Sequence, residues 1–107
     1  MEVNRMIVAR HLYHSLPGKS ADVLKQRQPA CDVREKLGLQ RGRVLVRVRG
    51  GDERAEIVWE WDYAEVAAYD QEIRIQRASE EFVAVRRHQR TLIERMDVVL
   101  FKVVEPS

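Results

Sequence analysis

The chain has 107 residues, of which 45% are hydrophobic and 34% are charged, and this composition predicts a soluble globular domain rather than a disordered segment. Its 19 basic and 17 acidic residues leave a net charge of only +2, so we expect no nucleic-acid partner, which would require a concentrated basic footprint. A single cysteine, Cys31, rules out a disulfide within the chain and suits a cytoplasmic protein. No segment resembles a signal peptide or a membrane span, so no membrane partner is expected.

The first two predicted elements are a strand and a helix. Residues 4–14 are short and rich in β-compatible side chains, and a Ser-Leu-Pro-Gly turn follows them, so they predict a strand. Residues 19–37 have a helical composition, with Ser20 as a candidate N-cap and Gly38 as a C-terminal stop. Because Pro29 removes one backbone hydrogen bond and crowds the preceding turn, we predict a kink there or two short helices, with helical structure continuing beyond it.

A β-hairpin is predicted next. Residues 43–49 and 55–61 alternate between apolar and charged side chains on the two sides of a double glycine at 50–51. A two-residue Gly-Gly turn is common chemistry but opposes Arg47 to another arginine, whereas a four-residue loop opposes Arg47 to Glu56. Opposite charges and apolar pairs each contribute about 0.2–1 kcal/mol across strands, so the four-residue loop is favoured.

Both registers give the hairpin the same two faces. The apolar face, which helices should cover, carries Val44, Val46, Val48, Ala55, Ile57, Trp59 and Trp61. The mixed face carries Arg43, Leu45, Arg47, Arg49, Arg54, Glu56, Val58 and Glu60. We expect a symmetric homodimer to bury the mixed face, with a solvated face on a monomer as the alternative. The charged ladder expected to line that interface consists of Arg43, Arg47, Glu56 and Glu60.

Two helices and a last strand complete the pattern. Asp62 is an N-cap type, and Glu65 three positions later completes an acidic capping box, so a helix is predicted from Asp62. Ser79 is the candidate N-cap of another helix over residues 80–96. The stripe of that helix, at three- and four-residue steps, is Phe82, Val85, Gln89, Leu92, Ile93 and Met96. Residues 97–105 predict the fourth strand.

This order of elements predicts one ferredoxin-like domain over residues 1–107, an α+β sandwich in which helices cover one face of a four-stranded antiparallel sheet. Three short motifs accompany the order: Pro17-Gly18 after the first strand, WEWDYAEVAAY at the third strand, and SEEF before the last helix. With them the chain resembles the dimeric α/β-barrel superfamily, which includes antibiotic-biosynthesis-type monooxygenases, stress-responsive barrel proteins and NIPSNAP proteins. The resemblance implies that two mixed sheet faces pair as a barrel.

The resemblance also implies a ligand site between the helices and the sheet. Haem-degrading members use an asparagine, a tryptophan and a histidine, and the corresponding positions here are His11, Tyr69 and Arg86. All three differ, so we expect neither haem degradation nor a cofactor. A cofactor-independent oxygenase, or a binder of a small aromatic or polyketide-like ligand, stays open, as does a structural or regulatory dimer without chemistry.

The residues predicted to line this pocket are His11, Trp59, Trp61, Tyr69 and Gln89. Leaving a buried amide unsatisfied costs about 1–3 kcal/mol, so we expect His11 or Tyr69 to bond Gln89. Polar groups converging among aromatic rings fit a ligand site, but Gln89 bonded to Tyr69 would equally fill the space. His11 is also the candidate base, because its ordinary pKa lies near neutral pH. His11 and His14 should point to opposite faces, so no metal site is expected.

Overall fold

The computed structural model of the chain describes residues 7–51 and 55–104. Its strands are β1 (Ile7–Ser15), β2 (Arg43–Val46), β3 (Ala55–Tyr63) and β4 (Ile93–Lys102), and its helices are α1 (Ser20–Lys36), α2 (Val66–Arg77) and α3 (Glu80–Arg90). The strands form one antiparallel sheet in the order β2-β3-β1-β4. The predicted ferredoxin-like α+β fold is therefore confirmed. None of the helices in the described ranges is long and apolar enough to cross a membrane.

The core lies between the helices and one face of the sheet. The central strands β1 and β3 supply alternate buried side chains, among them Ala9, Tyr13, Ile57, Trp59 and Trp61, which cluster with side chains of all three helices. The apolar face of the hairpin is thus covered along β3, as predicted. Along β2 it is covered only at Val44, which packs against the core, whereas Val46 is 45% exposed and Val48, beyond the end of the strand, is 94% exposed. The reason is that β2 is a short strand at the edge of the sheet and ends at Val46.

The hairpin adopts the register of the four-residue loop. Arg43 pairs with Glu60 and Val46 with Ile57 across β2 and β3. One step beyond the strand, the backbone N–H of Arg47 donates to the carbonyl oxygen of Glu56 at 2.7 Å. The predicted choice between the two registers is therefore confirmed, although residues 52 and 53 of the loop at 50–53 lie outside the described part of the chain.

Helix α1 runs through its proline as one 17-residue element. Helical structure beyond Pro29 is confirmed, and a division into two short helices is wrong. Pro29 lies on the exposed side of α1, so water can solvate the carbonyl group that loses its helical partner. Ser20 is not the N-cap, because it is already helical and Lys19 occupies the cap position.

The C-terminal end of α1 forms where the sequence places it. Gly38 has a φ of +78°, a conformation that strains any residue with a Cβ atom. Its N–H donates to the carbonyl oxygen of Glu35 at 3.0 Å, and the N–H of Leu39 donates to that of Arg34 at 2.9 Å. These two bonds are the Schellman pattern, so the predicted stop at Gly38 is confirmed.

The start of α2 differs from the prediction. Strand β3 continues to Tyr63, and Asp62 pairs with Val8 of β1 instead of capping a helix. Helix α2 begins at Val66, after Glu65 in an extended conformation without a side-chain cap bond. Hydrogen bonding to β1 holds the backbone at Asp62 extended, and a local capping box cannot compete with that ladder.

Helix α3 begins as predicted but ends earlier. The N–H of Phe82 donates to the hydroxyl oxygen of Ser79 at 3.1 Å, which confirms the N-cap. The helix ends at Arg90, and the predicted continuation to residue 96 is wrong, because Ile93 already opens β4. Met96 lies opposite Tyr13 of β1 in the sheet, so strand pairing overrides the helical spacing in this segment.

Candidate functional site

A cavity of about 60 Å³ lies between the helices and the covered face of the sheet. Its lining comes from three strands and two helices and consists of His11, Tyr13, Trp59, Tyr69, Ile73, Gln76, Arg77, Phe82, Arg86, Gln89, Met96 and Val98. Four of the five residues predicted for the pocket are in this lining, and the fifth, Trp61, lies behind His11 with ring centres 4.7 Å apart. Because one water molecule occupies about 30 Å³ of liquid, the empty space holds only a few waters or one small group of a ligand.

A neutral pair of side chains forms one wall of the cavity. The ring nitrogen Nε2 of His11 lies 2.8 Å from the hydroxyl oxygen of Tyr69, and both residues are buried. Burial, followed by the guanidinium groups of Arg34, Arg27 and Arg86, lowers the pKa of His11 to about 3. Burial also raises the pKa of the Tyr69 hydroxyl. At neutral pH the pair is uncharged, and such a weakly basic imidazole is a poor general base.

Gln89 has a partner that the sequence did not predict. Its side-chain oxygen accepts a hydrogen bond of 2.8 Å from Nη2 of Arg27, and its amide nitrogen lies 3.8 Å from the sulfur of Met96. The predicted bond to His11 or Tyr69 is therefore wrong. Arg27 projects from α1 into the core and forms the hydrogen bond to the Gln89 amide in place of His11 or Tyr69.

Arg27 is a buried cation with neutral partners. It is 1% exposed, and besides Gln89 its guanidinium donates to the hydroxyl of Tyr13 at 2.9 Å and to the side-chain oxygen of Gln26. The guanidinium carbon lies 4.5 Å from the centre of the Tyr13 ring. Its nitrogen Nε is buried without a hydrogen-bond partner, and no carboxylate in the described ranges pairs with it. Burial lowers the pKa of Arg27, although arginine stays protonated in proteins.

Arg34, seven residues later on the same helix, is neutralised. It is fully buried and donates to Oε1 of Glu72 at 2.5 Å, to the side-chain oxygen of Gln76 at 2.7 Å and to the carbonyl oxygen of Gln40 at 2.7 Å. The hydroxyl of Tyr63 donates to the same carboxylate oxygen at 2.6 Å. Burial and the neighbouring Glu72 raise the pKa of Tyr63. The charge of Arg34 is therefore balanced by Glu72, and the groups it donates to all belong to the chain itself.

Sequence reasoning missed both arginines, although a signal was present. Val23, Arg27, Ala30 and Arg34 follow one another at steps of four, three and four, so they share one face of α1. Two members of that stripe are apolar and all four are buried. An arginine in register with buried apolar positions is the pattern that indicates a buried cation.

Two more arginines, Arg77 and Arg86, belong to the cavity lining, Arg86 at the position matched above to the haem degraders' histidine. Neither forms a hydrogen bond or an ion pair with any residue in the described ranges. Burial, together with the charges of Arg90 and Arg77, lowers the pKa of the Arg86 guanidinium. No acidic side chain is present among the lining residues, all of which are described. The charged side chains that line the cavity are therefore all positive.

The opposite face of the sheet carries the predicted charged ladder. Glu60 is 2% exposed and accepts hydrogen bonds from Arg10, at 2.6 Å, and from Arg43. Burial acts to raise the pKa of Glu60, but the two guanidinium partners outweigh it and hold the pKa below its ordinary value. Leu45 and Phe101 remain 39% and 45% exposed on this face, so apolar surface lies beside the ion pairs.

The two histidines of β1 contact different elements. His11 contacts Tyr69 of α2, whereas Nε2 of His14 lies 2.8 Å from Oδ2 of Asp97 of β4. Within residues 7–51 and 55–104, no group of three or more His, Cys, Asp or Glu side chains converges in a way that would hold a metal ion.

Several solved structures share this fold. A NIPSNAP family protein from Agrobacterium tumefaciens is 19% identical, with a TM-score of 0.78 over 100% of this chain and 93% of that one. A protein described as an antibiotic biosynthesis monooxygenase is 17% identical, with a TM-score of 0.67 over 94% and 100%. A dimeric protein of unknown function and ferredoxin-like fold from Bacteroides fragilis is 11% identical, with a TM-score of 0.63 over 95% and 100%. No protein-family model and no curated protein matches the chain. The resemblance in fold inferred from the sequence is thus confirmed.

Proposed function

We propose that the protein binds a small molecule in the helix–sheet cavity and acts as a homodimer. The observation that carries the proposal is the cavity itself, in which a neutral His11–Tyr69 pair and the amide of Gln89 converge among aromatic rings. A few placed polar groups in an apolar enclosure are the usual form of a small-ligand site. We propose binding rather than oxygenase chemistry, because His11 with a pKa of about 3 does not supply a base at neutral pH.

The cavity is small but not closed to the outside. Arg77 is exposed and Val98 is 47% exposed, and both line it, so the cavity reaches the surface along α2 and the edge strand β4. Rotation of the arginine side chains would enlarge it without any change in the backbone. The cavity as it stands holds only a few waters, so we expect a ligand of one aromatic ring to bind near Trp59 and Phe82 after such a rotation.

The binding proposal is tested by a thermal-shift screen of small aromatic and polyketide-like compounds. We expect at least one compound to raise the melting temperature, since a ligand at one hundred times its Kd stabilises the native state by about 2.7 kcal/mol. Gln89→Leu should reduce that effect, and Gln28→Leu, an exposed amide on α1, is the matched control. A screen without any stabiliser, or stabilisation that Gln89→Leu leaves intact, would contradict the proposal.

A structural or regulatory dimer without ligand chemistry is the second candidate function. The observation that favours it is the hydrogen bond from Arg27 to Gln89, which satisfies the amide oxygen without a ligand. Under this candidate, making Gln89 and Arg27 apolar together should leave the protein stable, and no compound should bind in the cavity. The same thermal-shift screen therefore separates the two candidates.

The dimer proposal is supported by the mixed face of the sheet and by the dimeric state of the Bacteroides fragilis protein of like fold. In light scattering at micromolar concentration we expect a mass twice the 12.6 kDa of one chain. Phe101→Arg should shift the mass toward the monomer, because it adds a charge to an apolar part of the face. Leu24→Arg, equally exposed on the outer side of α1, should not. A monomer mass for the unmodified protein would contradict the dimer.

A further inference from the structure

The walls of the cavity hold positive charge that no carboxylate in residues 7–51 and 55–104 pairs with. Arg86 lines the cavity without an ion pair to these residues, and Arg27 lies one layer behind it, bonded to the lining residues Tyr13 and Gln89. The half-buried carboxylate of Glu72 is bonded to Arg34 instead. Burying a guanidinium without a counter-ion is strongly unfavourable in a medium of low polarity.

Three features of the charged side chains favour an anionic ligand. The nitrogen Nε of Arg27 is buried and has no hydrogen-bond partner in the described part of the chain. Arg86 is half-buried beside two further arginines, Arg77 and Arg90, whose charges lower its pKa. Burial lowers the pKa of the His11 imidazole, and the charges of Arg34, Arg27 and Arg86 lower it further. A negative charge in the cavity would attract the guanidinium groups of Arg27 and Arg86 and offset their repulsion.

We propose that the ligand of this cavity is a small aromatic carboxylate, with its carboxylate bonded to the Arg86 guanidinium and its ring among Trp59, Tyr69 and Phe82. This inference rests on the proposed binding function and adds the chemical class of the ligand. A carboxylate matches the planar fork of a guanidinium and takes two parallel hydrogen bonds from it. Arg27 acts from behind as a second, longer-range positive charge. The neutral His11–Tyr69 pair offers a hydrogen bond without adding a negative charge.

Three sets of compounds with the same aromatic ring but different charge test whether the charge of the ligand determines its affinity. Benzoate, salicylate and phenylacetate are the carboxylates, their primary amides are the neutral analogues, and benzamidine is the cation. In isothermal titration calorimetry at low salt we expect at least one carboxylate to bind at least tenfold more tightly than its amide, and benzamidine not to bind. Inorganic phosphate should bind more weakly than that carboxylate, since it lacks the ring.

Substitutions of the arginines test where the carboxylate of the ligand binds. Arg86→Gln should weaken binding of the carboxylate at least tenfold, whereas Arg87→Gln, an exposed arginine one residue later on α3, should leave it unchanged. Both positions are on the helix surface or at the cavity mouth, so both variants should fold, and circular dichroism checks this. Arg27→Met, where it folds, should weaken the same carboxylate as well.

Failure of this inference is distinguishable from failure of the binding proposal. Amides that bind as tightly as their acids, with an effect that Gln89→Leu removes, would overturn the anion and leave the binding function standing. Carboxylate binding that survives Arg86→Gln would place the anion elsewhere and overturn the assignment. Absence of binding by every acid and every amide would overturn the inference, and the wider screen then decides whether the cavity binds anything.

Discussion

Two buried arginines on one face of α1 have opposite environments. Arg34 donates to a carboxylate, an amide and a backbone carbonyl, and each acceptor belongs to the folded chain. Arg27, two helical turns earlier, donates to a phenol and two amides and has no carboxylate partner in the described ranges. Both guanidinium groups lie over aromatic rings of the core, Tyr13 for Arg27 and Trp61 for Arg34. The packing is thus alike, and the counter-ion is the difference.

This difference suggests separate roles for the two arginines, one in stabilising the fold and the other in attracting a ligand. A cation whose charge is balanced within the chain needs no ligand, and its removal leaves the partner carboxylate without a counter-ion. A cation without such balance lowers stability in the free protein, and this loss is recovered when an anion binds. On the proposal above, the negative charge of the ligand therefore lies near Arg27 and Arg86 and not near Arg34.

The largest effect is expected at the balanced arginine. Arg34→Met leaves the half-buried carboxylate of Glu72 without its cation, with the Tyr63 hydroxyl as its remaining donor, and breaking a buried ion pair costs about 3–5 kcal/mol. Urea denaturation should show a loss of that size in the free energy of unfolding. Arg41→Met, which removes ion pairs at the surface to Asp32 and Glu35, should change it far less, because water and salt screen such pairs. Equal losses for the two variants would show that the Arg34 network does not stabilise the fold.

The pH dependence of stability reports on His11. Its pKa of about 3 in the folded chain lies below the ordinary value of 6.5, so between these values the unfolded chain binds the proton and the folded chain does not. Stability therefore falls as the pH is lowered through this window, by about 2 kcal/mol between pH 7 and pH 5. His11→Gln, which keeps a polar partner for Tyr69, should lose less stability over the same interval. A wild-type free energy of unfolding that stays constant from pH 7 to pH 5 would contradict a buried, neutral imidazole.

Removal of one acceptor from Arg27 should have a smaller effect. Gln89→Leu leaves the guanidinium with two neutral acceptors, and we expect a loss of about 1–3 kcal/mol in the free energy of unfolding. In an Arg27→Met background the same change should be nearly neutral, because the donor is already gone. A double-mutant cycle in urea measures this coupling. Additive losses would mean that the hydrogen bond between Arg27 and Gln89 contributes nothing.

Much of the fold was predictable because pairing energies and local chemistry agree. The hairpin register follows from the charges of Arg47 and Glu56, and the start of α3 from the hydroxyl of Ser79. The misplaced boundaries, at Asp62 and after Arg90, both lie where residues far apart in sequence pair with β1. Local capping and helical spacing carry no information about such a ladder, so these boundaries were not predictable from short-range signals.

The candidate site was predictable only in part. His11, Tyr69 and Gln89 follow from the element order and the resemblance, because each faces the space between helix and sheet. The charges behind them do not follow, since an arginine such as Arg27 is normally exposed and only the completed fold shows what surrounds it. Whether a buried cation has a counter-ion depends on residues from distant elements, here Glu72 for Arg34 and, among the residues that the structure describes, none for Arg27.

The most direct test of this account compares Arg27→Met with Arg34→Met by urea denaturation at neutral pH, in a buffer free of carboxylates and phosphate. We expect Arg27→Met to change the free energy of unfolding by about 1 kcal/mol or less, because the lost hydrogen bonds to neutral acceptors are offset by removal of an uncompensated buried charge. Arg34→Met should lose about 3–5 kcal/mol under the same conditions. A loss for Arg27→Met as large as that for Arg34→Met would show that the chain already compensates the Arg27 charge, and would contradict the account.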